Sequence, residues 1–176
     1  MKSSALIIVA KNEIQGITKL FQLLPINLFN EVHYFDGNSN DGSLEFFKLK
    51  KDIFLHENVK KGEIYNLSAK ITNCENLVFF AIDGNEDPND IESLLNNLNN
   101  CDMCIASRFL KNSINEEDGL FLPLRKWANQ VFSFLVNIHL GSKISDTING
   151  FRSIKRQLIL ELNPDVTKIG FDIEFQ

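Results

Sequence analysis

The chain alternates between short apolar runs and stretches whose apolar residues recur every three or four positions. Residues 5–10 read Ala-Leu-Ile-Ile-Val-Ala, a continuous apolar run with β-branched members, which predicts a strand covered on both faces. Ile14, Ile17, Phe21 and Leu24 follow at helical spacing, and Pro25 ends that helix. A second strand is expected at 31–35. It breaks at the turn-rich Asp36-Gly37-Asn38-Ser39-Asn40-Asp41-Gly42-Ser43, after which a helix begins near Leu44 and a short strand lies at 53–55. Residues 62–72 read as helix, and 77–82 (Leu-Val-Phe-Phe-Ala-Ile) as another fully apolar strand. Asp87 is placed to cap a helix with Pro88 at its first position, and Ile91, Leu94, Leu95 and Leu98 make its buried face. A further strand is expected at 103–106, followed by a polar loop at 111–119.

Strands that alternate with helices predict a mostly parallel central sheet with helices on both faces, an α/β layered fold. No internal repeat and no linker divides the 176 residues, which therefore read as one domain. One segment fits two roles. Residues 127–140 carry Val131, Phe132, Phe134, Leu135, Val136, Ile138 and Leu140, so the helix is either a core or partner-contacting element, the favoured reading, or one that lies in a membrane interface. In the second case Trp127, Arg125 and Lys126 would sit at headgroup level. Fourteen residues are too few to span a bilayer.

Composition narrows the function classes. Hydrophobic residues make up 44% and charged residues 23%, which excludes disorder for the whole chain. The net charge of -5 argues against a general nucleic-acid partner, because phosphate neutralisation needs a surplus of Lys and Arg. No apolar run reaches a membrane-spanning length, and Met-Lys-Ser-Ser leads straight into a short apolar run without a cleavage site, so a cytoplasmic protein is expected. Cys74, Cys101 and Cys104 are read as free thiols, with Cys101 and Cys104 two small side chains in an apolar stretch rather than half a zinc site. His33, His56 and His139 share no catalytic spacing.

The informative feature is where polar residues fall. Ligands of open α/β sheets bind beyond the carboxyl ends of the strands. Lys11-Asn12-Glu13, Asp36, Asp83-Gly84-Asn85 and Ser107-Arg108 follow the first, second, fourth and fifth predicted strands, so four loops converge on one crevice. The first turn lacks Gly-x-Gly-x-x-Gly, which disfavours a dinucleotide-dependent dehydrogenase. Acids at two strand ends and an Arg at another suggest a metal-bridged phosphate. A single Asp in such a place is more often a turn or cap residue; joint occurrence reverses that.

Ile8-Val9-Ala10-Lys11-Asn12-Glu13, the segment from Asp36 to Ser43, Asp83-Gly84-Asn85 before Asp87-Pro88, Ala106-Ser107-Arg108-Phe109 and Asp146-Thr147-Ile148-Asn149-Gly150-Phe151-Arg152 occur in one order. Over residues 5–175 that order resembles the family 2 glycosyltransferases of the GT-A (nucleotide-diphospho-sugar transferase) fold, in particular the polyprenol-phosphate sugar synthases. The resemblance implies transfer of a sugar, with inversion, from a nucleotide-diphosphate donor to a polyprenol phosphate or glycan at the inner face of the cell membrane. It implies Mg²⁺ or Mn²⁺ on Asp83, with Asn85 in place of the usual second acid. An amide oxygen ligates a hard cation without charge, so weaker metal binding is expected unless Glu86 or Asp87 substitutes.

By the same resemblance Ala10, Asn12, Glu13 and Asp36 line the nucleotide pocket, Asp36 reading a base N–H, with Asp83, Gly84, Asn85 and Arg108 also on the donor. Arg108 and Arg125 would grip donor and acceptor phosphates, with Asn129 one turn after Arg125 facing the same way, since the planar guanidinium can hold two oxygens. Asp146 is a candidate base for a hydroxyl acceptor; Asp146 and Arg152 line the acceptor side or pair with each other. Family members generally continue some tens of residues past Gly170-Phe171-Asp172, so an incomplete acceptor side is expected. The competing reading is a non-catalytic nucleotide-sugar-binding or assembly subunit, motivated by Asn85. A nucleotidyltransferase is disfavoured because no Gly-rich basic loop follows the first strand.

Overall fold

The computed structural model describes residues 2–110, 113, 124–141 and 143–164, apart from the side chains of Arg125 and Leu140. The expected loop at 111–119 lies outside these residues except for Ser113, and so does the segment at 170–176.

Among the described residues the elements run β1 (Ser4–Ala10), α1 (Ile14–Leu20), β2 (Glu31–Asp36), α2 (Ser43–Lys48), β3 (Phe54–His56), α3 (Ile64–Ile71), β4 (Asn76–Ala81), α4 (Asp90–Asn97), β5 (Met103–Ile105), α5 (Leu124–Leu140), β6 (Arg152–Lys155) and α6 (Arg156–Leu162). They form one six-stranded sheet in the order β3-β2-β1-β4-β6-β5. β1 pairs in parallel with β2 and β4, and β2 with β3. β6 runs antiparallel between β4 and β5. The expected mostly parallel α/β sheet is therefore present, with one inserted antiparallel strand that periodicity did not disclose.

The apolar runs are explained by burial on two faces. Leu6, Ile8, Tyr34, Val78 and Phe80 meet Ile17 of α1, Phe47 of α2 and Ile91 and Leu94 of α4. Ala5, Ile7, Phe35, Leu77 and Phe79 meet Ile64, Tyr65 and Ala69 of α3 and Ile159 of α6. The first helix ends earlier than its spacing suggests: after Leu20 the chain tightens into a 3-10 turn over Phe21–Leu23 before Pro25. The helix expected to start at Pro88 begins two residues later, at Asp90. Asp87 instead turns the chain, its side chain accepting from the Asn89 N–H at 2.9 Å and its carbonyl from the Asp90 N–H.

Of the two forms of the favoured reading, core or partner-contacting, α5 does not take the core form. Ser133 is its most buried described side chain, while Trp127, Phe134, Leu135 and Ile138 are exposed. Polar contacts tie it to the protein: the Ser133 and Thr147 hydroxyls are 3.1 Å apart, and the Asn137 amide bonds the Ile144 backbone in both directions at 2.8 and 2.9 Å, with Phe132 and Val136 half-buried.

Gly16 fixes how close α1 comes to the end of β4. A Cβ there would lie 2.1 Å from the Ile82 carbonyl oxygen, against rigid backbone. Gly16→Ala should push α1 from the sheet and destabilise the fold by about 1–3 kcal/mol, read as a lowered midpoint in urea.

At the β2–β3 edge the His33 Nδ1 lies 3.0 Å from His56 Nε2, and His33 Nε2 lies 2.9 Å from a Glu31 carboxylate oxygen. Phe35 and Phe54 stack on these rings. Burial, then the neighbouring His33, pushes the His56 pKa below its usual range. A depressed histidine pKa favours folding above its unfolded value of roughly 6.5, and that contribution is lost as pH falls through the folded value. Burial opposes ionisation of Glu31, but bonds from Thr72 and His33 hold its pKa below normal, so its own loss comes at lower pH. The melting temperature should accordingly fall between about pH 7 and 5.5, and His56→Gln should flatten that part of the profile.

Candidate functional site

The register aligns the strand ends. Ala10 lies opposite Asp36, and Val9 opposite Ala81, so the loops after β1, β2 and β4 leave the sheet at one level. On the other side Ile105 of β5 pairs with Arg152, itself opposite Phe79 of β4.

The β1 and β2 loops are laced together through backbone donors. The Asn12 N–H donates to the Ser39 hydroxyl at 2.9 Å, and the Asn40 N–H to the Asn12 amide oxygen at 2.9 Å. The Glu13 N–H donates to the Ser43 hydroxyl at 3.0 Å, and the Ile14 N–H to Asp41 at 2.9 Å. Asn12 sits at φ 59, in the left-handed region that Asn tolerates better than most residues. Burial opposes ionisation of Asp41, yet bonds from the Ser43 hydroxyl and the Ile14 and Ser43 N–H groups hold its pKa below the ordinary carboxylate range.

Asp36 ends β2 and leads into the 36–43 turn. It is buried, and its two oxygens accept from the Tyr34 hydroxyl at 3.0 Å and the Ser39 N–H at 2.8 Å. Its visible task is to shape the 36–43 turn. Ala10 is buried as well and offers its carbonyl to the Gly37 N–H.

Glu13 lies nearer the opening, and its pKa is raised, by burial first and then by the charges of Asp83 and Asp41. Asp83, Gly84 and Asn85 are exposed on a tight turn, with the Asn85 N–H donating to Asp83 at 3.0 Å and Gly84 at φ 100. Glu86 folds back beneath them, accepting from the Ala81 N–H at 2.6 Å. Burial pushes its pKa up to about 8; the Ala81 bond, Lys61 and Arg108 work the other way, and Asp83 adds to the rise. One carboxyl thus feels charges from the loops after β3, β4 and β5.

Arg108 is held firmly. Its Nε and one terminal nitrogen donate to the two oxygens of Asp146 at 2.8 and 3.0 Å, and its backbone N–H donates to the same carboxylate at 3.2 Å. Asp146 is fully buried, and the Arg108 side chain is 25% exposed. This settles the pairing left open in the sequence: the partner of Asp146 is Arg108, whereas Arg152 is buried and donates to the Asn149 carbonyl. A carboxylate engaged in this way orients a cation; with both oxygens occupied it is poorly placed to take a proton from an acceptor. The Asn149 amide donates to the Ala106 carbonyl at 2.6 Å, tying the same turn to the end of β5. Arg125 lies in the first turn of α5, and its side chain lies outside the described residues.

Asn149, Lys61 and Glu86 are the residues that pattern reading undervalued. A lysine before Gly62 at the end of the β3 loop was the available signal for Lys61. Glu86 entered only as a stand-in ligand, and the fold of the turn beneath Asp83 was invisible locally.

The donor set suits a hard divalent cation. It offers an exposed carboxylate and an exposed amide oxygen two residues on, with Glu13 within electrostatic reach of Asp83. Among the described residues no three His, Cys, Asp or Glu side chains gather into a cage. Mg²⁺ and Mn²⁺ sites of this type are completed by water and substrate phosphate rather than by protein alone.

Solved structures with this arrangement of elements are known. Glucosyl-3-phosphoglycerate synthase from Mycobacterium tuberculosis, in complex with UDP, superposes with a TM-score of 0.71 at 18% identity, over 99% of this chain and 63% of that one. The same enzyme with Mn²⁺, UDP and glucosyl-3-phosphoglycerate gives 0.70 at 17% identity, over 99% and 63%. Its complex with Mn²⁺, UDP-glucose and glycerol 3-phosphate gives 0.70 at 16%, over the same shares. The fold is that of the GT-A glycosyltransferases. The chain spans less than two thirds of the length of these structures. These solved structures are of an enzyme other than a polyprenol-phosphate sugar synthase. No protein-family model and no curated protein matches the sequence.

Breaking the buried pair tests how the site is built. Asp146→Asn removes the buried carboxylate from its ion pair with Arg108 and should cost about 3 kcal/mol, the lower end for buried pairs because Arg108 keeps some contact with water. For a domain of this size the melting temperature should drop by about 6–12 °C.

Proposed function

We propose that this chain binds a nucleotide-diphosphate sugar at the carboxyl ends of β1, β2, β4 and β5 and acts as a metal-assisted, inverting glycosyltransferase in the cytoplasm. The observation that carries the reading is a pair of opposite charges on neighbouring loops, exposed Asp83 after β4 and Arg108 after β5, both within electrostatic reach of Glu86, with Arg108 pre-oriented by a buried carboxylate. The three free cysteines are compatible with a reducing compartment.

In this reading Asp83 and Asn85 hold Mg²⁺ or Mn²⁺, which neutralises charge on the diphosphate leaving group as the glycosidic bond breaks. Arg108 meets the same developing charge from the opposite side. Because Asp146 fixes its fork in advance, little reorganisation is needed when the charge appears. Glu13 and the laced Asn12–Ser43 region border the nucleoside, and Lys61 adds a second cation beside Glu86. The acceptor we propose carries a phosphate, whether a polyprenol phosphate or a small phosphorylated molecule of the kind bound by the neighbouring enzyme. Arg125 is the residue proposed to receive it.

The neutral Asn85 favours a second reading, a nucleotide-sugar-binding subunit without turnover. Metal-dependent hydrolysis or transfer of the sugar separates the two, since a binding subunit would show neither.

Thermal unfolding against UDP, GDP, CDP and dTDP, with and without Mn²⁺, tests the donor site. A nucleotide at about a hundred times its dissociation constant adds roughly 2.7 kcal/mol, or about 5–10 °C here. A rise with one base that needs Mn²⁺, and that disappears in Asp83→Ala, is expected. A flat response to all four nucleotides would overturn the proposal.

A further inference from the structure

β3 is short and leads directly into one wall of the crevice. It pairs with β2 through Phe54, Leu55 and His56, and Phe54 is 55% exposed. An edge strand of this length has little stability of its own. The side chains that fasten it stand on one face of the sheet: Phe54 stacks on His33, and His56 stacks on both His33 and Phe35. The polar rung among them is the contact of His33 Nδ1 with His56 Nε2 at 3.0 Å. Just beyond His56, the Val59 N–H donates to the Asp36 carbonyl at 3.0 Å, and Lys61 comes within electrostatic reach of Glu86. What fastens β3 therefore also places the segment 57–61.

Proton counting shows what the rung tolerates. His33 Nε2 lies 2.9 Å from a Glu31 oxygen, so that nitrogen carries a proton and donates to the carboxylate. Two neutral rings satisfy the rung, with the His56 Nε2–H donating to the bare His33 Nδ1. One added proton is tolerated as well, because a single charge on either ring still leaves a donor facing an acceptor. A second added proton sets N–H against N–H between two rings of like charge, and the rung is lost.

The surrounding charges leave His56 without compensation. Glu31 of β2 is engaged by His33 and by Thr72 and Cys74 after α3, and Glu57, next to His56, pairs with Lys48 of α2 at 3.3 Å. Among the described residues, His33 is the charged group whose field reaches His56. Burial, then that field, holds the His56 pKa below its ordinary value. The closed rung is thus favoured above the free-histidine value of roughly 6.5 and loses ground as pH falls through the folded value.

We propose that His33 and His56 form a proton-operated latch: a second added proton on the pair releases β3 and the 57–61 segment from β2 and loosens that wall of the crevice. A weaker grip on the donor when the latch opens rests on the nucleotide-sugar reading above; the latch itself does not.

Amide hydrogen exchange of the full chain at about pH 7.5 and about pH 5 tests the latch, each rate being referred to an unstructured peptide at the same pH. Protection of the Val59 N–H should fall by at least about tenfold at the lower pH, while that of Ile7 and Ile8 in β1 holds. His56→Gln, whose amide can donate to His33 Nδ1 but takes up no proton, should keep Val59 protection level. Level Val59 protection in the parent chain, an equal fall in His56→Gln, or an equal fall at Ile7 and Ile8 would each overturn the proposal, the last because it reports global unfolding. Thermal unfolding with UDP, GDP, CDP and dTDP plus Mn²⁺, repeated at the lower pH, tests the link to the crevice. The shift given by whichever nucleotide binds at the higher pH should shrink in the parent chain and persist in His56→Gln. A shift that persists in both overturns the link. No shift at either pH, with Val59 behaving as expected, overturns the donor reading and upholds the latch.

Discussion

A strand with no polar side chain in its interior constrains everything around it. Residues 5–10 of β1 can satisfy their backbone groups only by pairing on both edges, and their side chains only by being covered on both faces. β2 and β4 meet the first requirement, and helices on both sides meet the second. Polar chemistry is consequently expelled from the strand to its end. Because β1, β2 and β4 run in parallel and in register, the expelled groups of all three emerge together. The crevice is thus a by-product of how the core is filled.

The far half of the crevice has a different origin. β6 enters antiparallel between β4 and β5, and the turn before it carries Asp146 and Asn149 to the end of β5. Burying a carboxylate is costly unless a charged partner and hydrogen bonds compensate it, and Arg108 supplies both. The result is one cation locked in place on the β5 loop and one carboxylate, Asp83, left exposed on the β4 loop, both within electrostatic reach of Glu86. The locked group suits a charge that develops in a fixed position; the exposed one suits a cation that brings its own water and phosphate ligands. Glu86, tucked under Asp83 and influenced by both Lys61 and Arg108, couples the two halves electrostatically.

The outward stripe of α5 is the clearest departure from a self-contained domain. The helix is anchored by hydroxyl and amide contacts, with Phe132 and Val136 half-buried and Trp127, Phe134, Leu135 and Ile138 exposed. The free energy available from its large side chains is therefore still unspent in the isolated chain.

Periodicity and turn chemistry determined the strands at 4–10, 31–36, 54–56, 76–81 and 103–105 to within a residue or two, the α/β class, and the clustering of Asn12, Glu13, Asp83 and Arg108 at strand ends. These are local signals: an apolar run, a breaker, a charged residue just past the run. Tertiary structure alone decided the placement of β6, whose Arg152-Ser153-Ile154-Lys155 has no strand-like alternation and is held by pairing with distant strands. It also decided that Asp146 belongs to Arg108, 38 positions away, that Asp36 turns inward to Tyr34 and Ser39, and that α5 faces outward. Each of these depends on which partner reaches a charge or an apolar face first in three dimensions, and a one-dimensional pattern specifies the group but not its neighbour.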